Sequence, residues 1–75
     1  MGNFLEVQVN GHKRPLESAE DPSSLDKVIE ALELKPDRIA IELNGEIVRR
    51  AAWSATTVRG GDRLEIVHFV GGGLA

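Results

Sequence analysis

The sequence predicts an α+β fold, a ββαββ mixed sheet packed on one helix, and three observations carry that prediction. Two segments show apolar residues alternating with polar ones, each interrupted by an Asn-Gly pair; one segment carries apolar residues at helical spacing; and a final β-branched segment follows a glycine turn. The 75 residues suffice for one domain, because a second core could not be built from what remains.

From Phe4 to Asn10, Leu5, Val7 and Val9 alternate with Glu6 and Gln8, the period of a half-buried strand. Asn10-Gly11 suits the positive φ angles of a tight hairpin turn, so His12 to Glu17 is predicted to return antiparallel. Pro15 has no backbone donor, which assigns this second strand to a sheet edge. The segment Ser18 to Ser24 is turn-rich and leads to a helix, with Ser23 expected as its N-cap and Asp26 as a weak capping-box partner. Leu25, Val28, Ile29 and Leu32 form one apolar stripe, while Asp26, Lys27, Glu30 and Glu33 fill the other face. Lys35-Pro36 is expected to end the helix, because proline pushes the preceding residue out of the helical region.

Ile39, Ile41 and Leu43 share one face of a third strand, Asn44-Gly45 makes a second hairpin, and Ile47 and Val48 belong to a short return strand. Arg49 to Asp62 has no sustained period and reads as a long connection with one helical turn around Ala51 to Trp53, the indole tucked against the core. Gly60-Gly61-Asp62 is a tight turn in which the Asp62 carboxylate bonds its own backbone. Arg63 to Val70 is apolar in both alternations, Leu64 and Ile66 on one side and Val67 and Phe69 on the other, as a central strand would be. Its simplest place is beside the first strand and parallel to it, with the helix as the right-handed crossover. That topology is a β-grasp over residues 1–70, followed by a flexible glycine-rich tail over 71–75. The predicted core consists of Leu5, Val7, Leu25, Val28, Ile29, Leu32, Ile39, Ile41, Leu43, Leu64 and Ile66.

Composition narrows the function. At 41% hydrophobic and 28% charged residues the chain is composed to fold. A net charge of -3 argues against attraction to phosphate backbones or anionic lipid, so neither nucleic acid nor membrane is expected as a partner. With no cysteine, disulfides, thiolate metal sites and a cysteine nucleophile are excluded. The start lacks a basic leader and no long apolar run follows, which reads as a cytoplasmic protein. His12 and His68 lie far apart with no carboxylate motif between them, so no metal site is predicted. Gly60-Gly61 is no phosphate loop, since no Lys-Ser/Thr step follows. Arg49-Arg50 fits either an acidic groove on a partner or plain solvation. No Ser-His-Asp or paired-carboxylate arrangement is visible, and neither a catalytic residue nor a cofactor is expected.

Chemistry has one other place to sit. Gly71, Gly72 and Gly73 cannot hold a strand or helix cheaply, because glycine loses the most backbone entropy on ordering. They read either as a frayed end or as a thin chain that enters a partner's active site, where a narrow channel can close over a backbone without Cβ atoms. Extended, three residues reach about 10 Å. On the last strand, Val67 and Phe69 have little in so short a chain to cover them, and such a patch marks a partner surface.

The stretch GDRLEIVHFVGGG from Gly61 to Gly73, with the earlier LNGEIV and the RRAAW step ending at Trp53, resembles the sulfur carrier proteins of thiamine thiazole biosynthesis, a ubiquitin-like family. The resemblance covers nearly the whole chain and is strongest from Ile39 onward. It implies a protein that is a substrate rather than a catalyst. In that family an adenylating enzyme uses ATP and magnesium to turn the C-terminal glycine carboxylate, here Gly73, into an acyl-adenylate. Sulfur from a donor such as a cysteine desulfurase relay then replaces AMP, and the resulting thiocarboxylate delivers sulfur to thiazole synthase. The sequence departs from the family pattern where Leu74 and Ala75 follow Gly73, leaving the α-carboxylate on Ala75. Either a peptidase trims them, or they are a cloning remnant, or the chain is not a carrier. Carriers for molybdopterin or cysteine synthesis share this fold and ending, and a non-catalytic ubiquitin-like binding module would keep the fold with an inert tail.

Overall fold

The computed structural model describes residues 3–68. In chain order these form β1 (Phe4–Val9), β2 (His12–Glu20), β3 (Ser23–Ser24), α1 (Leu25–Ala31), a 3-10 turn at Pro36–Arg38, β4 (Ile39–Leu43), β5 (Glu46–Val48), a second 3-10 turn at Arg50–Ala55, β6 (Thr57–Val58) and β7 (Arg63–His68). The main sheet has the order β2-β1-β7-β4-β5, with β7 central, parallel to β1 and antiparallel to β4. This is the β-grasp arrangement, and Pro15 lies on an edge strand as its missing donor requires.

Both hairpins turn as their Asn-Gly pairs dictate. Asn10 and Gly11 have φ of 50° and 84°, and Asn44 and Gly45 have 52° and 89°, the double left-handed geometry that matches strand twist. Beyond the first turn β2 is longer than its alternation indicates, running to Glu20 rather than Glu17. The register passes from Leu5 opposite Leu16 to Phe4 opposite Glu20, so Glu17, Ser18 and Ala19 bulge from the ladder. Leu16 reaches the core by regular pairing with Leu5, whereas the bulge breaks the period of two and adds Ala19.

The helix keeps its expected stripe but changes both ends. Ser24, not Ser23, is the N-cap, and its hydroxyl bonds the Asp26 carboxylate rather than a backbone N–H. Ser23 instead donates to the Glu20 carbonyl at 2.6 Å, and Ser23–Ser24 pairs antiparallel with β6. At the other end the helix stops at Ala31, before Pro36 can act. Glu33 adopts φ 61°, its N–H donates to the Glu30 carbonyl, and the Leu34 N–H donates to the Ile29 carbonyl at 3.2 Å. This closure needs a left-handed residue, usually glycine, so Glu33 hides it from sequence inspection. Pro36 opens a 3-10 turn instead of terminating α1.

The connection from Arg49 to Asp62 is more ordered than its lack of period suggests. Trp53 is buried as expected, with its Nε1 donating to the Val48 carbonyl at 3.0 Å, and β6 buries Val58 beneath α1. The core otherwise comprises the predicted residues, except that Leu43 is only partly buried and Leu16, Ala19, Trp53 and Val58 are added. Among the described residues no polar or charged side chain is buried.

Candidate functional site

The central strand leads toward the glycine tail, and its anchoring is the first feature of the site. On one flank, among the described residues, β1 pairs with β7 through Gln8 opposite Arg63 and Val9 opposite Leu64, and the Asn10 N–H donates to the Leu64 carbonyl at 2.8 Å. Asn10 then extends that ladder with its side chain. The Ile66 N–H donates to Asn10 Oδ1 at 2.7 Å, and Asn10 Nδ2 donates to the Ile66 carbonyl at 3.2 Å, so the amide acts as one further peptide group. On the other flank Asn44 does related work, its Oδ1 accepting from the Arg63 N–H at 2.9 Å and its Nδ2 donating to Asp62 Oδ1 at 3.2 Å. The second Asp62 oxygen accepts from the Arg59 N–H at 2.9 Å, the turn-bonding role expected of it.

Both hairpin asparagines therefore clamp the strand that precedes the tail, Asn44 at its start and Asn10 near its end. Sequence inspection assigned them a turn role only. The available signal was that both positive-φ pairs use Asn rather than Asp or Gly, which leaves an amide able to donate and accept together.

The second feature is the sheet face turned away from α1. Leu64 and Ile66 point inward, at 1% and 6% exposure, whereas Val67 is 60% exposed on the outer face. Ala40 sits directly opposite Val67 on β4; one row along, Glu65 of β7, Glu42 of β4 and Ile47 of β5 line up across three strands. Ile47 is 75% exposed. Glu42, Gly45, Arg63, Glu65 and Val67 border a shallow depression there. Val67 thus faces outward, as its place in the alternation predicts. Its predicted companion Phe69 and the tail residues Gly71, Gly72 and Gly73 lie outside the described residues.

The remaining candidates are separate from this face. His12 and His68 are exposed, at the first hairpin turn and at the end of β7. Arg49 and Arg50 are also exposed, Arg50 bordering a groove that Ile29, Leu34, Pro36 and Trp53 line between α1 and the second 3-10 turn. Among the described residues no three His, Asp or Glu side chains gather as metal ligands would, and no helix is long and apolar enough to cross a membrane.

A mixed sheet packed on one helix, with a doubly clamped central strand leading toward the glycine-rich end of the sequence, is the architecture of a ubiquitin-like β-grasp protein. The chain belongs to the ThiS family, which it matches over residues 7–73. The thiamine biosynthesis protein ThiS of Geobacter metallireducens, in its crystal structure, is 33% identical and superposes with a TM-score of 0.77, covering 91% of this chain and 99% of that one. A protein called ycf40 from Porphyra purpurea is 33% identical over 69 residues, 92% of this chain and 93% of its own length. A thiazole synthase from Magnetococcus marinus is 30% identical over 69 residues, and there the chain spans only 20% of the relative's length. The family is that of thiamine biosynthesis sulfur carriers, small carrier proteins, as the C-terminal half of the sequence led one to expect.

Proposed function

We propose that this protein carries sulfur on the main-chain carboxyl of Gly73, as the substrate of its partner enzymes in the cytoplasm rather than as a catalyst. The observation that carries the reading is the family match, which runs to residue 73, the last of the three glycines. A glycine carboxylate oxygen attacks the α-phosphorus of ATP on an adenylating enzyme, releasing pyrophosphate and leaving an acyl-adenylate. A persulfide supplied through a cysteine desulfurase then displaces AMP, and a thiol cleaves the resulting acyl disulfide, leaving the thiocarboxylate and a disulfide. The thiocarboxylate transfers that sulfur to thiazole synthase. A relative of that name containing a region similar to this chain supports the choice of acceptor.

The residues divide the work. Gly71, Gly72 and Gly73 thread the partner's channel, which a Cβ atom would obstruct. Val67 and Phe69 dock the outer face, and the Asn10 and Asn44 clamps hold the strand from which the tail is aimed. Aim matters because misplacing a reacting atom by an ångström costs about a hundredfold in rate. Leu74 and Ala75 shift a terminal carboxylate by roughly 7 Å at extended spacing, so both must be removed before activation.

The test is ATP–pyrophosphate exchange with the cognate adenylating enzyme, run on the chain ending at Gly73 and on the chain ending at Ala75. Exchange is expected with the first and at least about a hundredfold less with the second. On addition of the sulfur donor, intact mass should report the gain for sulfur replacing oxygen. No exchange with either form would abandon the carrier reading for a binding module with an inert tail.

A further inference from the structure

Glu42 and Glu65 stand directly opposite each other on β4 and β7, both on the outer sheet face. Facing residues on neighbouring strands hold their Cβ atoms about 4.5–5.5 Å apart, and like charges there destabilise the sheet. None of the described side-chain hydrogen bonds ends on either carboxylate. Arg63, the cation on the same face of β7, is two residues away along the strand. Glu42 is partly buried while Glu65 is exposed. Exposed apolar side chains flank it, Ile47 next to Glu42 across the β4–β5 pair and Val67 two residues beyond Glu65.

A pair of facing carboxylates on an exposed face flanked by Val67 and Ile47 suits an interface that supplies the opposite charge. We infer that the protein partner docking on this face places an arginine between Glu42 and Glu65, with apolar side chains against Val67 and Ile47. This rests on the reading of the outer face as the docking surface, and it names the chemistry of the occupant. A guanidinium offers five donors in a planar fork and can address two carboxylates at once, which a lysine ammonium does less well. A second copy of the chain is disfavoured as occupant, because a two-fold contact would bring the same carboxylates together again. A metal ion is a poor fit to two carboxylates alone, and the described residues supply no third ligand. The partner intended is the adenylating enzyme, which must hold the carrier while the tail is activated.

The test is calorimetric titration of the purified adenylating enzyme with the full-length chain, its Glu42→Gln/Glu65→Gln double variant and its Val67→Ala variant, each at low and high salt. Wild-type affinity should fall as salt rises, since the pairing is between charges. The double variant should bind about tenfold more weakly at low salt, with most of the salt dependence gone. Its melting temperature should equal or exceed that of the wild type, because repulsion is relieved and packing is untouched. That combination separates lost recognition from lost folding. If the double variant binds like wild type with the same salt dependence while Val67→Ala weakens binding, the arginine inference is overturned and the docking face stands. If Val67→Ala and the double variant both bind like wild type, the docking face falls and the inference goes with it.

Discussion

The two faces of β7 carry opposite duties within six residues. Inward, Leu64 and Ile66 close the core against α1's stripe, and their environment is wholly apolar. Outward, Val67 is mostly exposed, Glu65 confronts Glu42, and the neighbouring row ends on the exposed Ile47. The inner face is chosen for stability; the outer face accepts apolar exposure and charge repulsion that stability alone would remove. A strand in a carrier must serve both, because the segment that holds the fold together is also the one that leads to the tail.

Substitutions on the two faces should therefore separate stability from docking. Leu64→Ala should have the largest effect, a loss of about 2–5 kcal/mol from a fully buried leucine whose cavity cannot collapse easily. Denaturant unfolding measures it, and a loss under about 0.5 kcal/mol would erase the distinction between the faces. Asn10→Ala sits between the two regimes. It removes both side-chain bonds to Ile66 and the residue suited to the left-handed turn, at a cost of roughly 1–3 kcal/mol. Its particular signature is faster hydrogen exchange at the Ile66 amide, and exchange unchanged from wild type would mean that the clamp is dispensable. Asn10→Asp keeps an acceptor for the Ile66 N–H but loses the donor to the Ile66 carbonyl, so it should fall partway. Smallest in stability is Val67→Ala, within about 0.5 kcal/mol of wild type, although it should still weaken docking to the adenylating enzyme. A variant that unfolded instead would place Val67 among the structural residues.

Much of the inner face was legible in the chain because its signals are local. The period of two in β1, the i, i+3, i+4, i+7 stripe of α1 and the two Asn-Gly turns each act over a few residues, and each produced the element it predicts. What escaped was non-local or locally ambiguous. Leu16 enters the core through its pairing with Leu5 on a strand with no clear alternation of its own, and Ala19 through a bulge that interrupts the period. Val58 belongs to a two-residue strand whose partner is Ser23–Ser24, far too short to show a period. Glu33 closes α1 in a conformation that its side chain does not favour, so the later Pro36 looked like the stop signal. On the outer face Val67 could be placed by alternation, whereas the confrontation of Glu42 with Glu65 could not.

The sequence by itself determined where the chain turns, which residues of each segment are buried together, and that a cysteine-free chain carries a thin glycine run after its last strand. Those properties follow from φ preferences, side-chain period and atom inventory, which neighbouring residues settle among themselves. Only the tertiary structure decided register: that Glu42 meets Glu65, that Asn10 reaches Ile66, and that Asn44 holds Arg63. Register depends on bringing apolar faces from distant segments into coincidence, and a slip of one residue would turn every side chain of β7 to the opposite face. The burial of Leu64 and Ile66 prevents that slip, and in doing so the core sets the arrangement of charges on the outer face.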